Sequence, residues 1–145
     1  MKTAIRAFSS HEVFDQAIAV AEAAGTLAGL GAADLRLGIE VLDGEDKNFF
    51  GITFVDDEVT AIGPVSEDWY RPEVVLSATA STWEEMVEVI RVNGRADLGH
   101  TINTLSLANT PVSVRGDDPM GEDKLYRFMG SVQAVFDALG QKSAA

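Results

Sequence analysis

The chain has 145 residues, 46% hydrophobic and 23% charged, a composition that fits one globular domain and excludes a disordered or fibrous class. It contains no cysteine, which removes disulfides, thiolate nucleophiles, iron–sulfur clusters and thiolate zinc sites together. A formal net charge of −12 opposes phosphate backbones and anionic membranes, so no nucleic-acid partner is expected; the charge serves solubility, or meets a protein partner with a basic face.

Lys2 and Arg6 are followed by Ser9-Ser10-His11-Glu12 rather than by an apolar run, so no secretory leader is expected. No stretch approaches the ~20 apolar residues of a membrane span. The expectation is a soluble, cytoplasmic, single domain over 1–145, with 1–8 as an arm and 141–145 as a frayed tail.

Ser9 and Glu12 have capping-box spacing and predict a helix start. Val13, Phe14, Ala17, Ile18, Ala21, Ala24 and Leu27 follow at helical intervals, and Gly25, Gly29 and Gly31 end the element. From Leu35 the period becomes two: Leu35, Leu37, Ile39 and Val41 predict a half-buried strand. Asp43 to Asn48 reads as a polar turn, Phe49 to Val55 as a second strand, and Asp56-Asp57 as a tight link to a third, Val59 to Ile62. The three make an antiparallel meander that Gly63-Pro64 stops, and Val65 to Pro72 is an ordered loop carrying Trp69, Tyr70 and Arg71.

Val74 to Leu76 restarts a strand, after which Ser81 or Thr82 caps a helix. Trp83, Met86, Val87 and Ile90 form one stripe of that helix, opposite Glu84, Glu85, Glu88 and Arg91. Asp97 caps a short third helix with Leu98, Ile102 and Leu105, and Pro111 to Gly116 is a short strand. Leu125, Phe128, Met129, Val132, Val135, Phe136 and Leu139 lie on one long closing helix. The order predicts an α+β fold, one mixed sheet covered by helices on one face.

No motif carries catalysis. The two histidines are His11, in a first helical turn, and His100, close enough to Asp97 in sequence for a general-base pair but with no nucleophile beside it. The acidic pairs Asp56-Asp57, Asp117-Asp118 and Glu122-Asp123 fall at turns or helix starts and lack the ligand spacing of a calcium loop. Gly25, Gly29 and Gly31 follow a helix rather than a strand, which excludes a phosphate cradle. No catalytic residue, metal ligand or cofactor is therefore assigned. The helices offer more apolar surface than a short sheet needs, and a cavity between the layers is expected to take the excess.

Pro72-Glu73-Val74-Val75-Leu76-Ser77-Ala78, then Thr82-Trp83-Glu84-Glu85-Met86, then Leu105-Ser106-Leu107 and Pro111 to Asp117 running into a terminal helix, carry a resemblance. From about Ser10 to Leu139 the chain resembles the sterol-carrier-protein (type-two sterol transfer) domain family. That resemblance implies a five-stranded mixed sheet with helices around an apolar tunnel for fatty acyl chains, sterols or other lipids, and no catalytic residues. Trp83 matches the family's helix tryptophan, and Met86, Val87, Ile90, Phe128, Met129, Val132 and Phe136 fall where cavity-lining residues are expected. The chain departs from the family's pattern in a longer, more polar stretch from Arg95 to Thr110 and in its acidity. The implied function is non-catalytic binding of a hydrophobic small molecule. The alternative is an accessory, non-catalytic subunit of a larger enzyme complex acting on an apolar substrate, with Phe49, Phe50, Trp69 and Tyr70 as interface anchors.

Overall fold

The structure is a computed structural model that describes residues 11–27, 30, 33–56, 58–116 and 119–139. The expected Ser9 cap, the 1–8 arm and the 141–145 tail lie outside the described residues. Helix α1 (Glu12–Ala23) leads into a meander of β1 (Ala33–Asp43), β2 (Asp46–Asp56) and β3 (Glu58–Ile62). After a one-turn helix α2 (Glu67–Tyr70) come β4 (Val74–Thr79), α3 (Ala80–Asn93), α4 (Ile102–Ser106), β5 (Ser113–Gly116), α5 (Pro119–Arg127) and α6 (Met129–Asp137).

The five strands form one sheet in the order β3-β2-β1-β4-β5. β1 is antiparallel to β2 and parallel to β4, so the sheet is mixed, as expected. The period-two pattern sets the faces: Leu35, Leu37, Ile39 and Val41 of β1 join Phe50, Ile52 and Phe54 of β2 and Val74, Leu76 and Ala78 of β4 in one core. Phe14, Ala17, Ile18 and Ala21 of α1, Trp83, Met86 and Ile90 of α3, and Val132, Val135 and Phe136 of α6 complete that core. The expected six-residue turn is shorter. Asp46, Lys47 and Asn48 pair with Asp43, Leu42 and Val41, leaving Gly44-Glu45 as the turn with Gly44 at φ +65°.

The opposite face carries a second, smaller cluster of Phe49, Tyr70 and Val75, with Val65 against it. Gly38 and Gly51 face each other in the β1–β2 register and make room for it. A Cβ on Gly38 would lie 2.4 Å from Phe49 Cζ, and one on Gly51 2.3 Å from Tyr70 Cε1. The segment expected as a loop thus contains α2, whose Ser66 Oγ accepts the Trp69 N–H at 3.4 Å and whose Arg71 closes it at φ +58°. Arg115 of β5 ties α2 down through two bonds to the Glu67 carboxylate, 2.6 and 2.8 Å, and holds that carboxyl below its usual pKa. Buried Glu40 beneath it accepts from Ser77 Oγ at 2.7 Å and from Arg115 Nη2 at 3.4 Å.

Four local expectations are corrected. β4 runs directly into α3, so the cap is Thr79, whose Oγ1 accepts the Thr82 N–H at 3.3 Å, rather than Ser81 or Thr82. Thr101, not Asp97, caps α4 by accepting the Thr104 N–H at 3.1 Å, and Leu98 lies outside that helix, 89% exposed. β5 begins at Ser113, after Val112 N–H has bonded to the Leu105 carbonyl. The closing helix is two helices, α5 and α6, separated at Phe128, whose φ −104° and ψ 21° leave the helical region.

Candidate ligand site

Each of the eight residues expected to line a cavity belongs to, or packs against, the helix-side core. On α3, Trp83, Met86 and Ile90 recur at three- and four-residue intervals and point at the sheet with exposures of 1%, 0% and 0%, while Val87 is half-buried beside them. Val132 and Phe136 of α6 are fully buried, and Phe128 and Met129, at the α5–α6 break, are half-buried. The layers meet where Trp83 stacks on Phe136 with ring centroids 5.8 Å apart and planes 13° apart. Trp83 is oriented by its indole Nε1, which donates to the Glu40 carbonyl at 3.0 Å. From Phe136 the aromatic contacts continue edge-on to Phe14 of α1 at 6.5 Å and from there to Phe50 of β2 at 5.6 Å.

Among the described residues, no buried side-chain nitrogen or oxygen lacks a hydrogen-bond partner. The buried polar groups among the described residues are thus already engaged, and the surface they leave inside is apolar. Three surface clefts, of about 480, 610 and 560 Å³, are formed by described residues, and none of the eight lines any of them.

Sequence reasoning missed Phe14 and Phe50 as members of this cluster. For Phe50 the signal was present, because Phe50, Ile52 and Phe54 alternate with Phe49, Gly51 and Thr53. For Phe14 it was not, because nothing local says that α1 lies beside α6. The four expected interface anchors are corrected in the same way: Phe49, Phe50 and Tyr70 are buried, and Trp69 alone of the four is exposed, at 66%. Tyr70 is held by its hydroxyl on Thr53 Oγ1 at 2.7 Å, and burial raises its pKa.

The expected His100–Asp97 pair forms, with Nδ1 2.7 Å from Asp97 Oδ1, and Glu85 of α3 adds a contact of 2.7 Å to Nε2. Both ring nitrogens face carboxylates. The Glu85 contact first, then the Asp97 contact, raise the imidazole pKa, and the protonated ring in turn lowers that of Asp97. With both ring nitrogens taken up by carboxylates, this geometry makes His100 a clip between α3 and the turn before α4. Because the folded pKa is raised, the clip's stabilisation is fully present below the unfolded value of about 6.5 and is lost as pH rises through the folded value. The effect is small, since Glu85 and Asp97 are 70% and 51% exposed. An NMR titration of the His100 ring should give a midpoint above that of the unfolded chain, and Glu85→Gln should lower it; an unshifted midpoint contradicts the clip.

Among the described residues, no helix is long and apolar enough to cross a membrane. No family model matches the sequence, and no curated protein matches it. Solved structures do. The crystal structure of sterol carrier protein 2 superposes with a TM-score of 0.63 over 94% of this chain and 98% of that one, at 11% identity. The solution structure of a conserved hypothetical protein from Thermus thermophilus, a candidate sterol carrier protein, superposes with a TM-score of 0.56 over 92% and 89%, at 13% identity. The chain has the sterol-carrier-protein fold, as its sequence resemblance implied.

Proposed function

We propose that this chain, acting as a single domain over 1–145, binds a hydrophobic small molecule (a lipid, fatty acyl chain or sterol-like compound) between its sheet and the α3–α6 layer. The observation that carries the reading is the continuous apolar seam of Trp83, Met86, Ile90, Val132 and Phe136, edged by the half-buried Val87, Phe128 and Met129. The fold shared with sterol carrier protein 2 supports it. Entry is proposed at the α5–α6 break, where Phe128 leaves helical geometry and half-buried apolar side chains edge the core.

Magnitudes favour exchange of side-chain contacts for ligand contacts. Parting one aromatic pair such as Trp83 and Phe136 forfeits about 0.5–1.5 kcal/mol beyond its area term. A guest losing ~300 Å² of apolar surface to the interior gains about 7 kcal/mol before its loss of freedom is counted. With the buried polar groups of the described residues already engaged, selectivity comes from length and shape.

Native mass spectrometry of freshly purified protein tests the reading. Mass increments that vanish on organic extraction and return on adding oleate are expected. A chain that is ligand-free from several expression hosts and takes up no oleate contradicts it.

A further inference from the structure

The sheet face turned away from α1, α3 and α6 carries a cleft of about 560 Å³ between the β2–β3 hairpin and α2, lined by Arg36, Thr53, Thr60, Ile62, Trp69 and Tyr70. Its walls differ in kind from the helix-side core. Trp69 presents its indole to solvent at 66% exposure, although the adjacent Tyr70 is buried. The helix that carries Trp69 is capped by Ser66, terminated by the left-handed Arg71 and braced by the Arg115–Glu67 pair, so the indole stands on a fixed turn. Thr53 and Thr60 are direct partners in the β2–β3 register and supply hydroxyls on the floor, one of them already on the Tyr70 hydroxyl.

Arg36 gives the cleft its charge. Its guanidinium carbon lies 4.2 Å over the Tyr70 ring, Nε donates to the Arg71 carbonyl at 3.2 Å and Nη2 donates to the Tyr70 carbonyl. These neutral acceptors hold the group flat while leaving its charge uncompensated. Among the described residues no carboxylate lies within ion-pair distance of it, in a chain with 23 acidic and 11 basic residues. Arg71 and Arg95 share that lack, whereas Lys47, Arg91, Arg115, Lys124 and Arg127 each face a carboxylate; of the three, Arg36 is the one that lines this cleft. Nη1 of Arg36 makes no hydrogen bond among the described residues, and Arg36 lines the cleft.

We propose that this cleft binds small aromatic carboxylates, with the planar ring on the exposed Trp69 indole and the carboxylate on the Arg36 guanidinium. An oriented guanidinium recognises a carboxylate by paired N–H donors, and an indole face takes a flat ring with little ordering cost. The strongly acidic surface repels anions in general, so a carboxylate is held here through the local Arg36 contact. The site is separate from the helix-side seam and does not depend on it.

The two tryptophans, Trp69 and Trp83, are the chain's only ones and report the two faces independently. In ¹⁵N–¹H spectra of the intact chain, titration with 1-naphthoate should shift the Trp69 indole signal saturably and leave Trp83 in place. Neutral 1-naphthalenemethanol should bind about tenfold more weakly, because it lacks the charge-assisted pair. Arg36→Gln should weaken naphthoate binding by a similar factor. Since Arg36 also steadies two carbonyls of the α2 turn, Trp69→Ala, at an exposed side chain, provides a second variant, which should abolish the calorimetric binding signal. A fixed Trp69 signal, equal affinity for the neutral compound, a response at Trp83 instead, or full binding by Trp69→Ala would each overturn the proposal.

Discussion

Replacing Phe136 by alanine should lower the unfolding free energy by about 3–5 kcal/mol, the range for truncating a buried phenylalanine in a close-packed interior. Phe136 is fully buried, stacks on Trp83 and meets the edge of Phe14, so it joins α6 to both α3 and α1. Neither neighbour can close the gap easily. Trp83 is held to the Glu40 carbonyl, and Phe14 is already against Phe50. The change is read as a lower denaturant midpoint at unchanged m-value. Phe136→Leu, which keeps most of the volume, should lose less than half as much. A loss below about 1 kcal/mol for the alanine variant would mean that α6 is not a wall of the core, since truncations at poorly packed positions give such values.

Two glycines on the closing helices should respond to alanine with opposite signs. At Gly121 of α5 an added Cβ would lie 2.0 Å from the Glu73 carbonyl oxygen and 2.9 Å from its carbon. That backbone has little freedom to move. Glu73 N–H is bonded to the Arg36 carbonyl at 2.8 Å, and its carboxylate accepts from Arg36 N–H and Lys124 Nζ, each at 2.8 Å. Gly121→Ala should therefore cost about 2–3 kcal/mol even after the helix-propensity gain. At Gly130 of α6 the nearest atoms are Leu30 methyls at 3.5 and 3.9 Å, an ordinary contact, so Gly130→Ala should stabilise by about 0.5 kcal/mol. Thermal or denaturant unfolding of the two variants decides it, and a tolerated Gly121→Ala would contradict the seating of α5 on β4.

The contrast between these glycines shows which information local sequence holds. Period-two alternation from Leu35 to Val41 and from Phe50 to Phe54 made the strands and their core faces legible, because burial on one side of a sheet writes itself into every second residue. The Trp83, Met86 and Ile90 stripe was legible for the same reason at helical period. The Trp83–Phe136 contact joins residues 53 positions apart, and no local pattern encodes it. The α5–α6 break was hidden because the apolar stripe continues across Phe128, and only the low helix propensity of Gly130 hints at it. The second-face cluster depends on Gly38 meeting Gly51 across two strands, a fact of register rather than of either segment. Asp97 carried a sound capping signal that Thr101, nearer to the first buried residue Ile102, took over.

Oleate bound to isotope-labelled protein provides the most direct measurement of the central claim. Intermolecular nuclear Overhauser contacts from its methylene chain should reach Trp83 and Val87 on α3 and Phe128, Met129 and Val132 around the α5–α6 break. Contacts confined to residues outside that seam, or no contacts while the Trp83–Phe136 stack persists at saturating oleate, would contradict a hydrophobic guest between sheet and helices.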